Sequence, residues 1–132
     1  MDYVWPDPAV VLAIHDEQIA EHGGASGLRD AGLLDAALHR PRHYLSSSKD
    51  ADLASLAAAL AHALAINHHP FVDGNKRAGF VVGVLFLELN RFAFRAAEAG
   101  ATQAVLALAA GKMEEAAYTG WLRANSKQKR GR

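Results

Sequence analysis

The stretch His69-Pro70-Phe71-Val72-Asp73-Gly74-Asn75-Lys76-Arg77, running on into Ala78-Gly79-Phe80-Val81-Val82-Gly83-Val84-Leu85-Phe86-Leu87, decides how this chain is read. From Ala78 to Leu87 a helix would be apolar on all sides, the pattern of a helix buried at the centre of a domain. The run ends at Glu88 and falls well short of the roughly 20 residues needed to cross a bilayer, so it belongs to a folded core. Gly74-Asn75 opens this helix. A buried helix leaves its first N–H groups unpaired, and with the helix dipole they form an anion site of the phosphate-binding type. Gly74 permits close backbone approach or a positive φ, Asn75 can position an oxygen, and Lys76 with Arg77 sets two cations beside the amides.

Just upstream, two side chains give this helix mouth a chemistry. Asp73 supplies a hard oxygen ligand, the usual way Mg²⁺ is held between one carboxylate and a nucleotide's phosphates. His69 is within reach of the same place and can accept the proton of an attacking hydroxyl, with Pro70 and Phe71 stiffening and anchoring the loop. The segment therefore reads as a base (His69), a metal ligand (Asp73) and a phosphate clamp (Gly74, Asn75, Lys76, Arg77). Each residue also has a structural reading. Asp73 alone is a good helix cap, Lys76 and Arg77 alone are a solvated helix face, and Phe71 is a core plug. Of the seven histidines, His15, His22, His39 and His43 read as structural residues on surfaces or helix ends, and His62 and His68 also read as structural. What favours chemistry is convergence within nine residues before a buried helix.

Working outward, Asp7-Pro8 reads as an N-cap and first helical residue, and Val11, Ile14, Gln18 and Ile19 keep near-helical spacing as far as Gly23-Gly24. A glycine-rich connector to Gly27 leads to Asp30, which caps a short second helix that Pro41 is expected to stop. The serine-rich string from His43 to Asp50 lacks a helical period and reads as a loop or hairpin. Residues 45–49 are expected to act as a flap that docks an extended segment of a target by strand pairing. Asp50 or Asp52 starts a third helix, with Leu53, Leu56, Leu60 and Leu64 in one stripe, that runs to about Asn67. Beyond the buried helix, Arg91 to Arg95 suits a short strand, and Ala101–Ala110 and Met113–Ala124 read as two further helices separated by Gly111. The expected fold is all-α, a compact single-domain helical bundle over residues 1–125, with 126–132 as a basic, disordered tail.

Composition narrows the function classes. At 132 residues with 51% hydrophobic content, the chain has the size and apolar fraction of one domain with a substantial core. Fourteen basic residues balance fourteen acidic ones, so no global field draws it to nucleic acid or an anionic membrane, and neither is expected as a specific partner. The tail Lys127-Gln128-Lys129-Arg130-Gly131-Arg132 could touch nucleic acid, but its default reading is a solvated end. With no cysteine, disulfides and cysteine-bound metal centres are excluded, and a reducing cytoplasmic compartment is compatible. The first residues lack the basic leader and apolar core of a signal peptide, so a soluble protein is expected.

The central segment resembles the Fic signature HxFx(D/E)GNxRxxR, matched by His69, Phe71, Asp73, Gly74, Asn75 and Arg77. Lys76 stands where adenylylating members carry glycine, and Phe80 where they carry the second arginine. Both departures resemble the Doc (death-on-curing) branch, as do Ile14-His15-Asp16, Gly23-Gly24, Gly27-Leu28-Arg29-Asp30 and Leu33-Leu34-Asp35-Ala36-Ala37. That resemblance implies a compact all-α bundle and a toxin that transfers the γ-phosphate of ATP to a threonine of elongation factor EF-Tu, arresting translation. It also implies a Phd-like antitoxin segment that blocks the site. The substitutions have their own logic. Phenylalanine at position 80 cannot grip the far end of a triphosphate whose α-phosphate faces the base, whereas Lys76 is placed to neutralise a transferring phosphoryl group. Three alternatives stand beside this reading: AMP transfer to a protein hydroxyl, a silent nucleotide- or partner-binding module, and a metal phosphohydrolase built on His62, His68, His69 and Asp73. A P-loop fails, because Arg77 occupies the place of the required Ser or Thr.

Overall fold

In a computed structural model, which describes residues 3–129, the first three helices each begin where an aspartate closes the opening turn. Asp7 accepts from the Ala9 amide at 2.8 Å and is followed by Pro8, opening α1 (Pro8–His22). Asp30 accepts from Leu33 at 3.1 Å at the head of α2 (Ala31–Ser47). Asp52 and Ser55 satisfy each other's backbone amides, both at 2.9 Å, in a capping box that opens α3 (Leu53–His62). A π-helical turn (Ala63–Asn67) extends α3. Then follow α4 (Asn75–Leu89), β1 (Phe92–Phe94), α5 (Glu98–Ala109), α6 (Glu115–Ala124) and β2 (Ser126–Gln128), which pairs antiparallel with β1. The fold is all-α apart from that two-stranded ribbon.

At the centre of the core lies α3, buried at every residue from Leu53 to Ala61 and packed against α2, α4 and α6. Its alanines let α4 come close. A Cβ on Gly79 would sit 2.8 Å from the Ala61 carbonyl oxygen, and one on Gly83 would sit 3.3 Å from that of Ala57. From Ala78 to Leu87 no residue of α4 is exposed, in keeping with its all-round apolar sequence. Trp5 stacks on Phe86 with centroids 5.1 Å apart, while the Asn90 side chain bonds both the amide and the carbonyl of Val4. These contacts tie the chain's first described residues to the C-terminal end of α4.

Three sequence expectations do not hold. Pro41 does not stop α2, which continues to Ser47. Proline removes its own N–H from the helix ladder and its ring crowds the carbonyl one turn back, and here the buried ring and the half-buried Tyr44 and Leu45 offset that cost through packing. The expected loop and flap at 45–49 are therefore mostly the last turn of a helix. Ser46 and Ser47 turn their hydroxyls back to the carbonyls of His43 and Tyr44. Ser126–Gln128, assigned above to a disordered tail, forms β2 because the backbone of β1 offers it a partner; residues 130–132 of that tail lie outside the described residues.

Two substitutions test this framework. Gly79→Val is expected to lower stability by about 1–3 kcal/mol in urea unfolding, since the backbone of α3 blocks the new side chain. Arg123 reaches Asp52 with both Nε and Nη2 at 2.9–3.1 Å. Burial works to raise the Asp52 pKa, but the Ser55 amide and the Arg123 guanidinium outweigh it, and the carboxyl is held below its usual range. A depressed folded-state pKa stabilises above the unfolded value and is lost as pH falls through the folded one. Asp52→Ala is thus expected to cost about 1 kcal/mol at neutral pH, mostly through the lost cap, because the ion pair is exposed. The gap should close below about pH 4.

Candidate active site

The loop between the π-helical turn and α4 carries the residues singled out by sequence, and little of it is held by local structure. Its start is set by the π-turn, in which the His68 amide donates to the carbonyl of Ala63 at 3.0 Å. From there the loop runs antiparallel to the connector before α2. The Val72 amide donates to Gly27 (3.0 Å), Leu28 bridges Phe71, and the amides of Arg29 and Asp30 both donate to Pro70 (2.7 and 3.2 Å).

His69 has φ +45°, in the left-handed region that few non-glycine residues adopt. Arg29 holds it there. Its Nε and Nη2 donate to the His69 carbonyl at 2.9 and 2.7 Å, and Nη2 also reaches the His68 carbonyl at 2.9 Å. This leaves the backbone fixed and the imidazole exposed; among the described residues the ring has no hydrogen-bond partner. Strain of this kind persists only where surrounding contacts over-determine it.

Asn75 closes the other half of the loop. Its Oδ1 accepts from the Phe71 amide (2.9 Å) and its Nδ2 donates to the Phe71 carbonyl (3.0 Å). The side chain expected to position a phosphate oxygen is thus already engaged with protein, and what Asn75 offers a ligand is its backbone amide. Phe71 is buried, as expected of a core plug, and stacks face to face on His15, with centroids 3.8 Å apart and planes within 4°. The Nε2–H of His15 donates to the Asp73 carbonyl at 2.7 Å; a carbonyl only accepts, so the ring proton lies on Nε2. Far from sitting on a surface, His15 is 1% exposed.

The Asp73 carboxylate is exposed and accepts two amides, Gly74 at 2.8 Å and Ala25 at 3.2 Å. Those two bonds, Gly74 first, together with the charges of Arg77 and His15, hold its pKa below the usual carboxylate range. The connector must come close for this. Gly24 has φ +116°, and a Cβ there would lie 2.6 Å from Asp73 Oδ2. Gly74 adopts φ +77° and leaves α4 without a side-chain cap, so the amides of Asn75, Lys76 and Arg77 lack helical partners. Arg77 turns back to the Gly23 carbonyl at 2.9 Å. Lys76 is exposed and has no ion-pair partner among the described residues.

His69, Asp73 and residues 74–77 all line one cleft of about 730 Å³. Its lining also includes apolar side chains, Phe80 and Val81 of α4 and Val105 and Leu106 of α5. Phe80 does more than stand in for an arginine: it meets Phe94 edge-on at 5.9 Å and lies 6.4 Å from Trp121. His62 is drawn elsewhere, to Asn67 at 2.9 Å and towards Glu115 at 3.7 Å. Among the described residues no three His, Asp or Glu side chains gather to hold a metal ion, so the cluster of His62, His68, His69 and Asp73 does not form.

His15 and Arg29 are the site residues that sequence reasoning did not single out. For His15 the signal was present, since it falls one turn after Val11, the other buried residue of α1. For Arg29 the signal was only its place in the Gly27-Leu28-Arg29-Asp30 segment cited for the resemblance, and its role stayed hidden because its partners are backbone carbonyls some forty positions away.

Structurally, this is a helical domain whose buried helix α4 opens, without a side-chain cap, into a cleft beside a carboxylate and an exposed imidazole. Residues 5–87 match the model of the Fic/DOC family, and the chain belongs to that family. It is 32% identical over 83 residues to "Protein kinase doc" of Escherichia phage P1, covering 63% of this chain and 65% of that protein. It is 46% identical over 70 residues to "Toxin Doc" of Mycolicibacterium smegmatis, covering 52% of each. The chain thus spans between half and two thirds of the length of these relatives.

Arg29→Ala is expected to free the His69 backbone. Amide exchange at Arg29, Asp30 and Val72 should rise about tenfold, on the scale of a lost charge-assisted hydrogen bond, with global unfolding little changed. Unaltered exchange at all three amides would show that the loop stands without the guanidinium.

Proposed function

We propose that this chain is the toxin of a toxin–antitoxin pair and acts in the cytoplasm as a Doc-like kinase. It would transfer the γ-phosphate of ATP to a threonine hydroxyl of EF-Tu and so arrest translation, with a Phd-like antitoxin segment blocking the cleft. The observation that carries this reading is one cleft lined by an exposed imidazole, an exposed carboxylate and an uncapped helix mouth bearing Lys76. The names of the two relatives, one a kinase and one a toxin, agree with it.

In this scheme His69 takes the proton of the threonine hydroxyl. The hydroxyl oxygen bonds the γ-phosphorus, and the bond from that phosphorus to the β,γ-bridging oxygen breaks to release ADP. The amides of residues 75–77 and the Lys76 ammonium stabilise the charge that spreads over the phosphoryl oxygens. Arg77 and Asn75 support the mouth through Gly23 and Phe71. Asp73 fits a Mg²⁺ site of the sparse kind, a single exposed carboxylate already oriented by two amides, with phosphate oxygens and water completing the shell. When bound, the ion would draw charge from the phosphates. The aromatic Phe80, in place of a cation one turn into α4, leaves the positive charge concentrated at the mouth, which favours γ-phosphoryl over AMP transfer.

The test is to incubate the chain with EF-Tu and ATP labelled at the γ or the α position. Label is expected from the γ position, falling by a factor of about 10²–10⁴ in His69→Ala. Label arriving from the α position would replace this reading with AMP transfer. Transfer of neither, with nucleotide still bound, would leave a silent module.

A further inference from the structure

The chain is neutral overall, yet six of its fourteen Lys and Arg residues lie in two short stretches: Arg91, Arg95, Lys127, Lys129, Arg130 and Arg132. The ribbon brings the first four together. Phe92 faces Gln128, Ala93 faces Lys127, and Phe94 faces Ser126. The ladder extends at both ends, with the Lys129 amide donating to the Arg91 carbonyl at 2.8 Å and the Arg95 amide to that of Asn125 at 2.7 Å.

Strand alternation then sorts the side chains. Phe94 turns inward against Phe80 and Trp121, and Ser126 bonds back to the Leu122 carbonyl. On the other side lie Ala93, Arg95, Lys127 and Lys129, along a shallow groove of about 560 Å³. Arg91, with φ +72°, stands at the ribbon's mouth. All four cations are exposed, and none takes part in an ion pair or a side-chain hydrogen bond among the described residues. None lines the cleft that holds His69.

We propose that this basic ribbon is a docking surface for the phosphate backbone of duplex DNA, independent of base sequence and separate from the cleft. Three features favour that occupant. Lys127 of β2 and Lys129 just beyond it are spaced about 7 Å apart, with Arg91 and Arg95 flanking β1, along a face that a duplex meets with one negative charge per roughly 1.7 Å of axis. A two-stranded ribbon also has the width that the major groove of B-form DNA admits. An anionic membrane is a poorer match, because the outer side offers only Ala93 as an apolar group while the phenylalanines are committed to the core. Because the chain is neutral overall, the rest of it carries ten basic against fourteen acidic residues, which makes the surface directional: the chain docks by this face.

The experiment is fluorescence anisotropy of a labelled mixed-sequence 20-base-pair DNA duplex, titrated with the full chain in 50–200 mM NaCl. Four phosphate contacts predict a slope of log affinity against log salt of about −3.6, and hence about a hundredfold loss over that range. The double variant Lys127→Gln/Lys129→Gln should lower the slope magnitude to about 1.8, as should Arg91→Gln/Arg95→Gln on the other strand. Lys112→Gln, at the opposite end of α6, should leave it unchanged. Circular dichroism establishes that each variant is folded. No binding at 50 mM salt, an unchanged slope in both double variants, or tighter binding to phosphatidylserine vesicles or polyglutamate than to DNA would each overturn the proposal.

Discussion

The close approach of α4 to α3 is the constraint on which the rest of this molecule depends. With Gly79 and Gly83 against the carbonyl oxygens of Ala61 and Ala57, α4 puts no side chain of its own between the two backbones there. That contact fixes both the position and the direction of α4, because a helix pressed this near its neighbour cannot slide without losing it. Its apolar body is thereby buried, while its first turn projects past the end of α3 into the cleft. The same contact explains why the loop between them is demanding. The chain must leave α3, turn, and enter α4 from a place set in advance, and the π-helical turn, the left-handed His69 and the left-handed Gly74 are the backbone's means of doing so.

Within the site, polar groups divide into those already satisfied and those left open. Arg29, Asn75, Arg77 and His15 each bond a backbone carbonyl or amide at 2.7–3.0 Å, and together they hold residues 68–74 on both sides. Among the described residues, the His69 imidazole, the Lys76 ammonium and the first amides of α4 are groups of the site without protein partners. The division is physical: a group with a short bond to the main chain would have to surrender it to meet a ligand, and the exchange gains little. The open groups face the cleft with no such cost. A sequence pattern treats all nine residues alike, whereas the fold separates scaffold from reactive surface.

This separation marks how far the sequence could be read. The three aspartate caps, the buried central helix and the strand near Phe92 follow from local chemistry, and they were legible for that reason. The nine-residue segment was legible too, because its convergence of types is rare. What escaped were effects that depend on distant partners. Pro41 looks like a stop only until the burial of its surroundings is known. Ser46 and Ser47 look like loop residues until α2 is seen to continue beneath them. Ser126–Gln128 has no strand signal of its own and becomes one because β1 is waiting. Arg29 and His15 matter through carbonyls of the loop, and a carbonyl leaves no mark on the sequence.

The identity of the cleft's two walls follows from the same helix. Along α4 the mouth is polar because helix ends expose amides, and one turn later the helix is apolar because its flanks are buried. Position 80 falls at the changeover. A second arginine there would carry cationic character a turn deeper along the wall, whereas Phe80 instead joins Phe94 and Trp121 and ties the wall to β1 and α6. The substitution therefore changes two things together: it confines the positive end of the cleft to the first turn, and it anchors α4 to the elements that close the domain. An arginine at position 80 would have to replace an aromatic contact as well as supply a charge, so the electrostatic character of this cleft and the packing behind it are one feature.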